Sequence, residues 1–342
     1  MSGGAPVVEV LRAGLLSSVQ DRGRFGWRHL GIVQSGALDA LALELGNRLV
    51  GNAPTAAAIE ITLGPARFRF TGATRVALTG GLFAAKLDDR PFSSGWSIPV
   101  PAGAVLSLPA ASAGMRGYLC VSGGVAVPRV LGSRSTDLAA GFGGWQGRAL
   151  RDGDALPLGA PAWAAGIHAP AFGVRLPENA CGSCPQTAEA EPLTVRVMPG
   201  PEYGALPRAT RRRWWTQTWR LSADSNRMGY RLTGAELDRG GQASLPSHAV
   251  VPGTIQVPPD GRPIILMNDA QTTGGYPRIG VVIAADLWRL AQLRLKAPVR
   301  FVPVTVAAAW AACRAERHYL RRIDAALRLA GLPGEPHDDS NG

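Results

Sequence analysis

What most constrains this chain is its punctuation. Short apolar or β-branched runs at residues 7–11, 58–62, 67–70, 75–78, 105–108, 117–121, 194–197, 250–256, 263–267, 280–283 and 299–306 are mostly bounded by Gly, Pro or Asp. Extended segments joined by turns write this pattern. With 43 Gly and 27 Pro among 342 residues, a helix bundle is disfavoured. The runs also do not alternate with helical stretches as a βαβ sheet requires. A mostly β chain with a few helices follows, folded as a barrel or sandwich. Three helices are predicted. Leu38, Leu41, Leu45 and Leu49 recur at helical spacing before Gly51-Asn52, 284–293 forms a short second helix, and about 307–330 forms a third that Gly331 stops.

A single hydrophobic core stops growing at roughly 250–300 residues. Two β-rich domains are therefore expected, 1–158 and 193–306. Between them, 159–192 is rich in Ala, Pro and Gly, holds a CGSC tetrapeptide and has no period, which marks a linker or variable insertion. Residues 307–342 carry the third helix and a polar tail expected to fray.

The formal charge is +11, from 36 basic and 25 acidic residues, yet only Lys86 and Lys296 are lysines. That Arg skew reads as compositional bias and solvated basic faces, concentrated at 208–213 and in the last helix. Trp214-Trp215, after RATRRR, would suit base stacking, but no RNA-binding or zinc-finger motif accompanies it, and no nucleic-acid partner is expected. Neither lysine follows a phosphate-binding GxxxxGK[ST] loop, sits in a biotin-carrying hairpin or completes an SxxK pair. ATP or biotin, if used, would come with a partner. Cys181 and Cys184 make a lone CxxC, Cys120 and Cys313 stand apart, and the five histidines form no HExxH pair, so no metal site is expected. Uncharged stretches are too short or too broken by proline to span a bilayer, and Glu9 and Arg12 interrupt the apolar N-terminal stretch. A cytoplasmic protein without a membrane partner is expected.

Three segments are denser in polar, Gly and Arg residues than connections need: 17–39, 221–232 and 267–280. The third joins two apolar strands. It holds Asn268, Asp269 and Gln271, two threonines, Gly274-Gly275, Tyr276 and Arg278. Such a loop can offer backbone N–H groups and a guanidinium to an anion with a carboxylate placed for proton transfer, or it can be a long turn whose Asn and Asp satisfy their own backbone. Both readings stand. Asn226 and Arg227 offer a bidentate donor for a carboxylate or phosphate, or a turn with a surface Arg. His248, before an apolar strand, is a general base or a hydrogen-bonded residue at a strand edge. Glu60 is half-exposed on an alternating strand or buried with a partner, and the sequence does not decide.

Taken together, SVQDRGRFGWRHLGIVQSGALD, GNRLVGN, AIEITLGP, YLCVSGGV, GFGGWQGRALRDGD, MPGPEY, SNRMGY, VPGTIQVPPDGRPIILMNDAQTTGGYPRIG and ADLWRLAQL resemble the biotin-dependent carboxyltransferase, or allophanate hydrolase subunit 2, family. The resemblance runs from about Val7 to Val306 and is poor over 159–192 and after about Ala312. It implies a cyclophilin-like β-barrel architecture. It also implies a homologous subunit-1-type (B) partner, joined in the 5-oxoprolinase case by an α/β-barrel-type (A) subunit. The implied reaction is that of a multi-subunit 5-oxoprolinase with this chain in the C-subunit position, the ATP-dependent opening of 5-oxo-L-proline with water to L-glutamate. No cofactor is then bound by this chain alone, and ATP is used by the complex. The alternatives are a biotin-dependent urea carboxylase-type carboxyltransferase component and a non-catalytic regulator of a subunit-1-type partner. Carried over by motif, Asp269 is the acid–base or orienting group at the lactam, flanked by Asn268 and Gln271. Arg227 and Arg278, with Asn226, hold the substrate carboxylate or a transient phosphate. His248, Tyr276 and Gln256 donate hydrogen bonds to developing negative charge. Gln20, Asp21 and Asp39 line the cleft or fix the loop that closes it.

Overall fold

The period-2 alternation of the strands decides which face meets which core. In strand Ala58–Thr62, Ile59 and Ile61 face one way and Ala58 and Glu60 the other; in Ala113–Val121, Leu119 and Val121 oppose Tyr118 and Cys120. A computed structural model describes residues 7–177, 187–241 and 245–332. In it, two six-stranded antiparallel sheets share the core that Ile59, Ile61, Leu119 and Val121 enter, together with Val8, Phe68, Phe70, Leu78, Leu106 and Leu156. One sheet runs, in spatial order, Ala155–Pro157, Val7–Arg12, Ala66–Phe70, Val105–Leu108, Ala85–Leu87 and Arg90–Phe92. The other runs Phe172–Gly173, Trp96–Val100, Thr74–Leu82, Ala113–Val121, Ala58–Thr62 and Leu16–Gln20.

The outer face of the second sheet carries helix α1 (Ala40–Leu49). Asp39 caps it by accepting from the Ala42 N–H (2.8 Å), which is why the helix starts at Ala40 and not at Leu38. Leu38 leaves the leucine series and enters the core of the barrel. Gly46 brings helix and sheet together, since a Cβ there would lie 2.6 Å from the Cys120 Sγ.

The second half of the chain closes a seven-stranded barrel, in the order Leu193–Pro199, Arg278–Val282, Thr254–Gln256, Ile264–Leu266, Gly229–Thr233, Trp219–Leu221 and Pro298–Pro303. Only the closing pair, Leu193–Pro199 with Pro298–Pro303, is parallel. The β-rich expectation and its barrel hold. Three further α-helices lie among the described residues: α2 (Arg208–Thr216), α3 (Ala284–Ala291) and α4 (Val306–Leu329). The α2 helix was not anticipated. Its Trp214 is buried and stacks on Phe301 at 4.6 Å, and the Trp215 indole N–H donates to the Tyr203 hydroxyl, so these rings plug the barrel and are not presented to bases.

The described part of the segment read as a linker or variable insertion packs on the first unit. The Arg75 guanidinium, fully buried, donates to the carbonyls of Gly166, Ala169 and Pro170, and Phe172–Gly173 pairs with Trp96–Val100. The CGSC tetrapeptide lies outside the described residues. Among the described residues no helix is long and apolar enough to cross a membrane.

Candidate functional site

The seam between sandwich and barrel is a buried polar network centred on Glu60. Tyr118 lies opposite Glu60 in register and donates its hydroxyl to Oε2 (2.7 Å), while the Leu38 N–H donates to the same oxygen (3.0 Å). Arg227 crosses from the barrel to bond Oε1 and the Gly36 carbonyl (2.6 Å). Its other edge forks onto Asp269, Nε to Oδ2 at 2.8 Å and NH2 to Oδ1 at 3.1 Å. Arg116 sits 3.8 Å from Glu60 and donates to the Tyr230 hydroxyl at 2.7 Å. Gln292 donates to Asp39 (2.7 Å) and accepts from the Met115 and Arg116 N–H groups (2.9 and 3.0 Å). Asn268 donates to the Ala37 carbonyl (2.9 Å) and its own carbonyl accepts from Ser35 (3.0 Å).

Burial works against every charge here. It would raise the Glu60 carboxyl, but Arg227 and Arg116 more than offset it and hold the group below its usual range. Arg227 likewise stays charged, since Asp269 and Glu60 outweigh its desolvation. Asp39 faces no such cation directly, and burial raises it to about 6.

Next to this network, loop 21–36 folds back on itself, with Arg24 N–H on the Gln34 carbonyl (2.7 Å) and Ala37 N–H on the Asp21 carbonyl (2.9 Å). The Asp21 oxygens accept from Ser133, Ser135 and the Arg134 and Gly23 N–H groups. Three of these bonds fall on Oδ1 and one on Oδ2, and together they tie loop 21–36 to residues 133–135. Gln20 donates to Ser18 and the Thr136 carbonyl, leaving its Oε1 buried with no partner among the described residues. Arg28 reaches from this loop to the carbonyls of Val250 (2.7 Å) and Gln271 (3.3 Å) on the barrel.

The barrel end is more open. A short ribbon pairs His248–Ala249 with Thr273–Gly274. The His248 Nδ1 lies 3.1 Å from the Pro246 carbonyl, which only accepts, so Nδ1 carries the proton. Nε2 is then the acceptor; it is buried from solvent and has no partner among the described residues. Arg278 forks onto Glu202 through Nε (3.0 Å) and NH2 (2.8 Å), and its NH1 makes no hydrogen bond among the described residues. Those Arg278 bonds hold the Glu202 carboxyl low. Gln256 is buried under the ribbon and donates weakly to the Tyr276 carbonyl (3.4 Å). The Tyr276 side chain is exposed, as is that of Gln271.

The structure thus sorts the residues singled out from sequence. His248, Gln256, Tyr276 and Arg278 meet at the barrel end, with Gln271 on its rim. Asp269 (3% exposed) and Arg227 (5%) are tied to each other inside the seam, with Asn268 and Asp39. Asn226 accepts from the Met228 N–H (2.8 Å) and holds a turn. Sequence reasoning missed Glu202, Gln292, Tyr118, Arg116 and Arg24. Glu202 lies in MPGPEY and Arg24 in the QDRGRFG run, blocks noted without assigning these residues roles. Among the described residues no three His, Cys, Asp or Glu side chains are grouped to hold a metal ion.

The chain belongs to the family described as carboxyltransferase domain, subdomain A and B, which it matches over residues 30–303. It is 44% identical to the 5-oxoprolinase C subunit of Escherichia coli (strain K12), over 93% of this chain and 97% of that protein. It is 34% identical to the urea amidolyase of Lachancea kluyveri over 87% of this chain, but this covers only 17% of that protein. Among solved structures, it superposes on the Kluyveromyces lactis urea carboxylase with a TM-score of 0.81 at 29% identity, over 92% of this chain and 29% of that one.

Proposed function

We propose that this chain is the C-type subunit of a multi-subunit 5-oxoprolinase. With a subunit-1-type (B) protein and an α/β-barrel-type (A) subunit it opens 5-oxo-L-proline to L-glutamate, consuming water and ATP. The observation that carries the reading is the near end-to-end match to a protein of that name. The chain contributes no cofactor of its own, and ATP belongs to the assembled complex. Opening the lactam adds water across its C–N bond, so the site needs a proton acceptor for the water and donors for the oxygen that gains charge. His248 Nε2 is the acceptor, with its tautomer set by Pro246. The NH1 of Arg278 and the hydroxyl of Tyr276 are donors, and Gln256 holds the ribbon that carries them. Asp269 and Arg227 position the ribbon from the seam, because their charged edges are spent on each other. The apolar rim around this end, Phe25, Leu30, Met228 and Val251, is exposed and suits a covering partner protein.

The likeness to urea amidolyase favours a second reading, carboxyl transfer from biotin on a separate carrier. Reconstitution separates the two. With all three subunits present, ATP-dependent glutamate release is expected, insensitive to avidin. His248→Gln is expected to lower it by about 10²–10⁴-fold with the complex still formed. No glutamate release from the complete complex, with avidin-sensitive activity on urea, would replace the first reading by the second.

A further inference from the structure

The ribbon that carries His248 is too short to hold itself. It pairs only His248 with Gly274 and Ala249 with Thr273, extended by one bond at each end, Leu245 N–H to the Gly275 carbonyl (2.7 Å) and Val250 N–H to the Thr272 carbonyl (3.0 Å). Two-stranded ribbons are marginal on their own. Just beyond Val250 a single nitrogen closes the ribbon. The NH2 of Arg28 donates to the Val250 carbonyl on one strand (2.7 Å) and to the Gln271 carbonyl on the other (3.3 Å). The cation is kept there at a cost. Burial alone acts on its proton affinity and lowers it, and NH1 is buried with no partner among the described residues. Natural proteins rarely keep such a group without a use. The backbone behind it is firmly held. Arg28 opens a 3-10 turn that ends at Gly31, whose N–H donates to the Arg28 carbonyl (3.0 Å). The base of the same loop is pinned to itself by the Arg24 N–H on the Gln34 carbonyl and to the barrel by the Ser35 N–H on the Asn268 carbonyl.

We infer that Arg28 is a positioning residue, which clamps both strands of the ribbon from the first unit and so holds the His248 ring where the Pro246 carbonyl sets its tautomer. Without the clamp the two strands part at Val250, and the Nδ1–H loses its fixed acceptor. The proton then divides between the two ring nitrogens, and a proton on Nε2 removes the lone pair that would accept from water. The first unit thus orders a group at the barrel end without contributing an atom to the reaction. Because one nitrogen makes both bonds, an ammonium can take its place, whereas an apolar chain cannot. That His248 accepts a proton during turnover rests on the 5-oxoprolinase reading; that Arg28 fixes its ring does not.

The test reads the imidazole nitrogen NMR shifts of His248 in the full chain without substrate, assigned by their loss in His248→Gln. It is made at about pH 8.5, where an ordinary imidazole is neutral. The wild type is expected to show one tautomer, protonated at Nδ1, Arg28→Met a mixture of both, and Arg28→Lys a return close to the wild type. In the reconstituted three-subunit complex, Arg28→Met is expected to lower kcat for glutamate release by about 10–100-fold with KM within about twofold, and Arg28→Lys to regain most of the loss. If Arg28→Met does not fold, Arg28→Gln, which is too short to span both carbonyls, takes its place. Identical His248 shifts in wild type and variant, a wild type not protonated at Nδ1, or an Arg28→Lys chain no better than Arg28→Met overturns the clamp, even where glutamate release is normal. An Arg28-dependent tautomer in a complex that releases no glutamate keeps the clamp and removes the 5-oxoprolinase reading.

Discussion

Asp39 shows how much a single group can be asked to do. It caps α1, accepts from Gln292 across the seam and is buried, with its carboxyl raised from 3.8 to about 6. Between those values the folded protein keeps a proton that the unfolded chain has released, so the contribution is full below about pH 4 and is lost as pH rises through 6. The wild type is therefore expected to lose about 2–3 kcal/mol relative to Asp39→Asn over that window, read from denaturant midpoints as a function of pH. A flat difference between the two would show that Asp39 titrates normally. The sequence offered Asp39 as a cleft residue or a residue fixing the loop, and the fold shows it capping α1 while also lining a cavity with Leu41, Leu45 and Trp288. Gln292 lies too far along the chain for any local pattern to have joined it to Asp39. His248 is the opposite case. Its place before a strand was legible, but its tautomer depends on a carbonyl that only the fold brings within reach.

At the level of elements, strands read well because alternation and turn residues are local signals. Helices α3 and α4 also fell within two residues of expectation, for the same reason. The α2 helix did not. Of its nine residues only Thr210 and Trp214 are buried, one turn apart, so its apolar stripe is too thin to stand out among arginines. Its worth lies in packing. Trp214→Ala is expected to cost about 3–5 kcal/mol, since the ring fills the barrel against Trp219 and Phe301. Urea titration checks this, and a loss below about 1 kcal/mol would mean that the barrel end collapses to fill the space.

At the scale of the molecule, sandwich and barrel share a charged joint, with Leu38 packed into the barrel core beside it. Removing one partner of a buried pair strands the others. Glu60→Ala leaves Arg227, Tyr118 and the Leu38 N–H without their acceptor. A loss of about 3–5 kcal/mol is expected. The two halves are also expected to unfold separately, with the fluorescence of Trp214 and Trp219 reporting the barrel and far-ultraviolet dichroism reporting both. Coincident transitions in the variant would show that the joint does not couple them.

The family match stops at residue 303, yet α4 begins just beyond it, at Val306. From there Asp324 reaches back to Arg48 in α1 (3.1 Å), and the Tyr319 hydroxyl donates to the Arg175 carbonyl (2.8 Å). The helix thus ties the last described residues to the first half of the chain, in a stretch that the family match does not span but that the match to the Escherichia coli relative, over 93% of the chain, runs into. A brace of this kind sets how stiffly the first and last parts of the chain are held together without touching the barrel end, so it can be loosened or tightened with the strands left as they are.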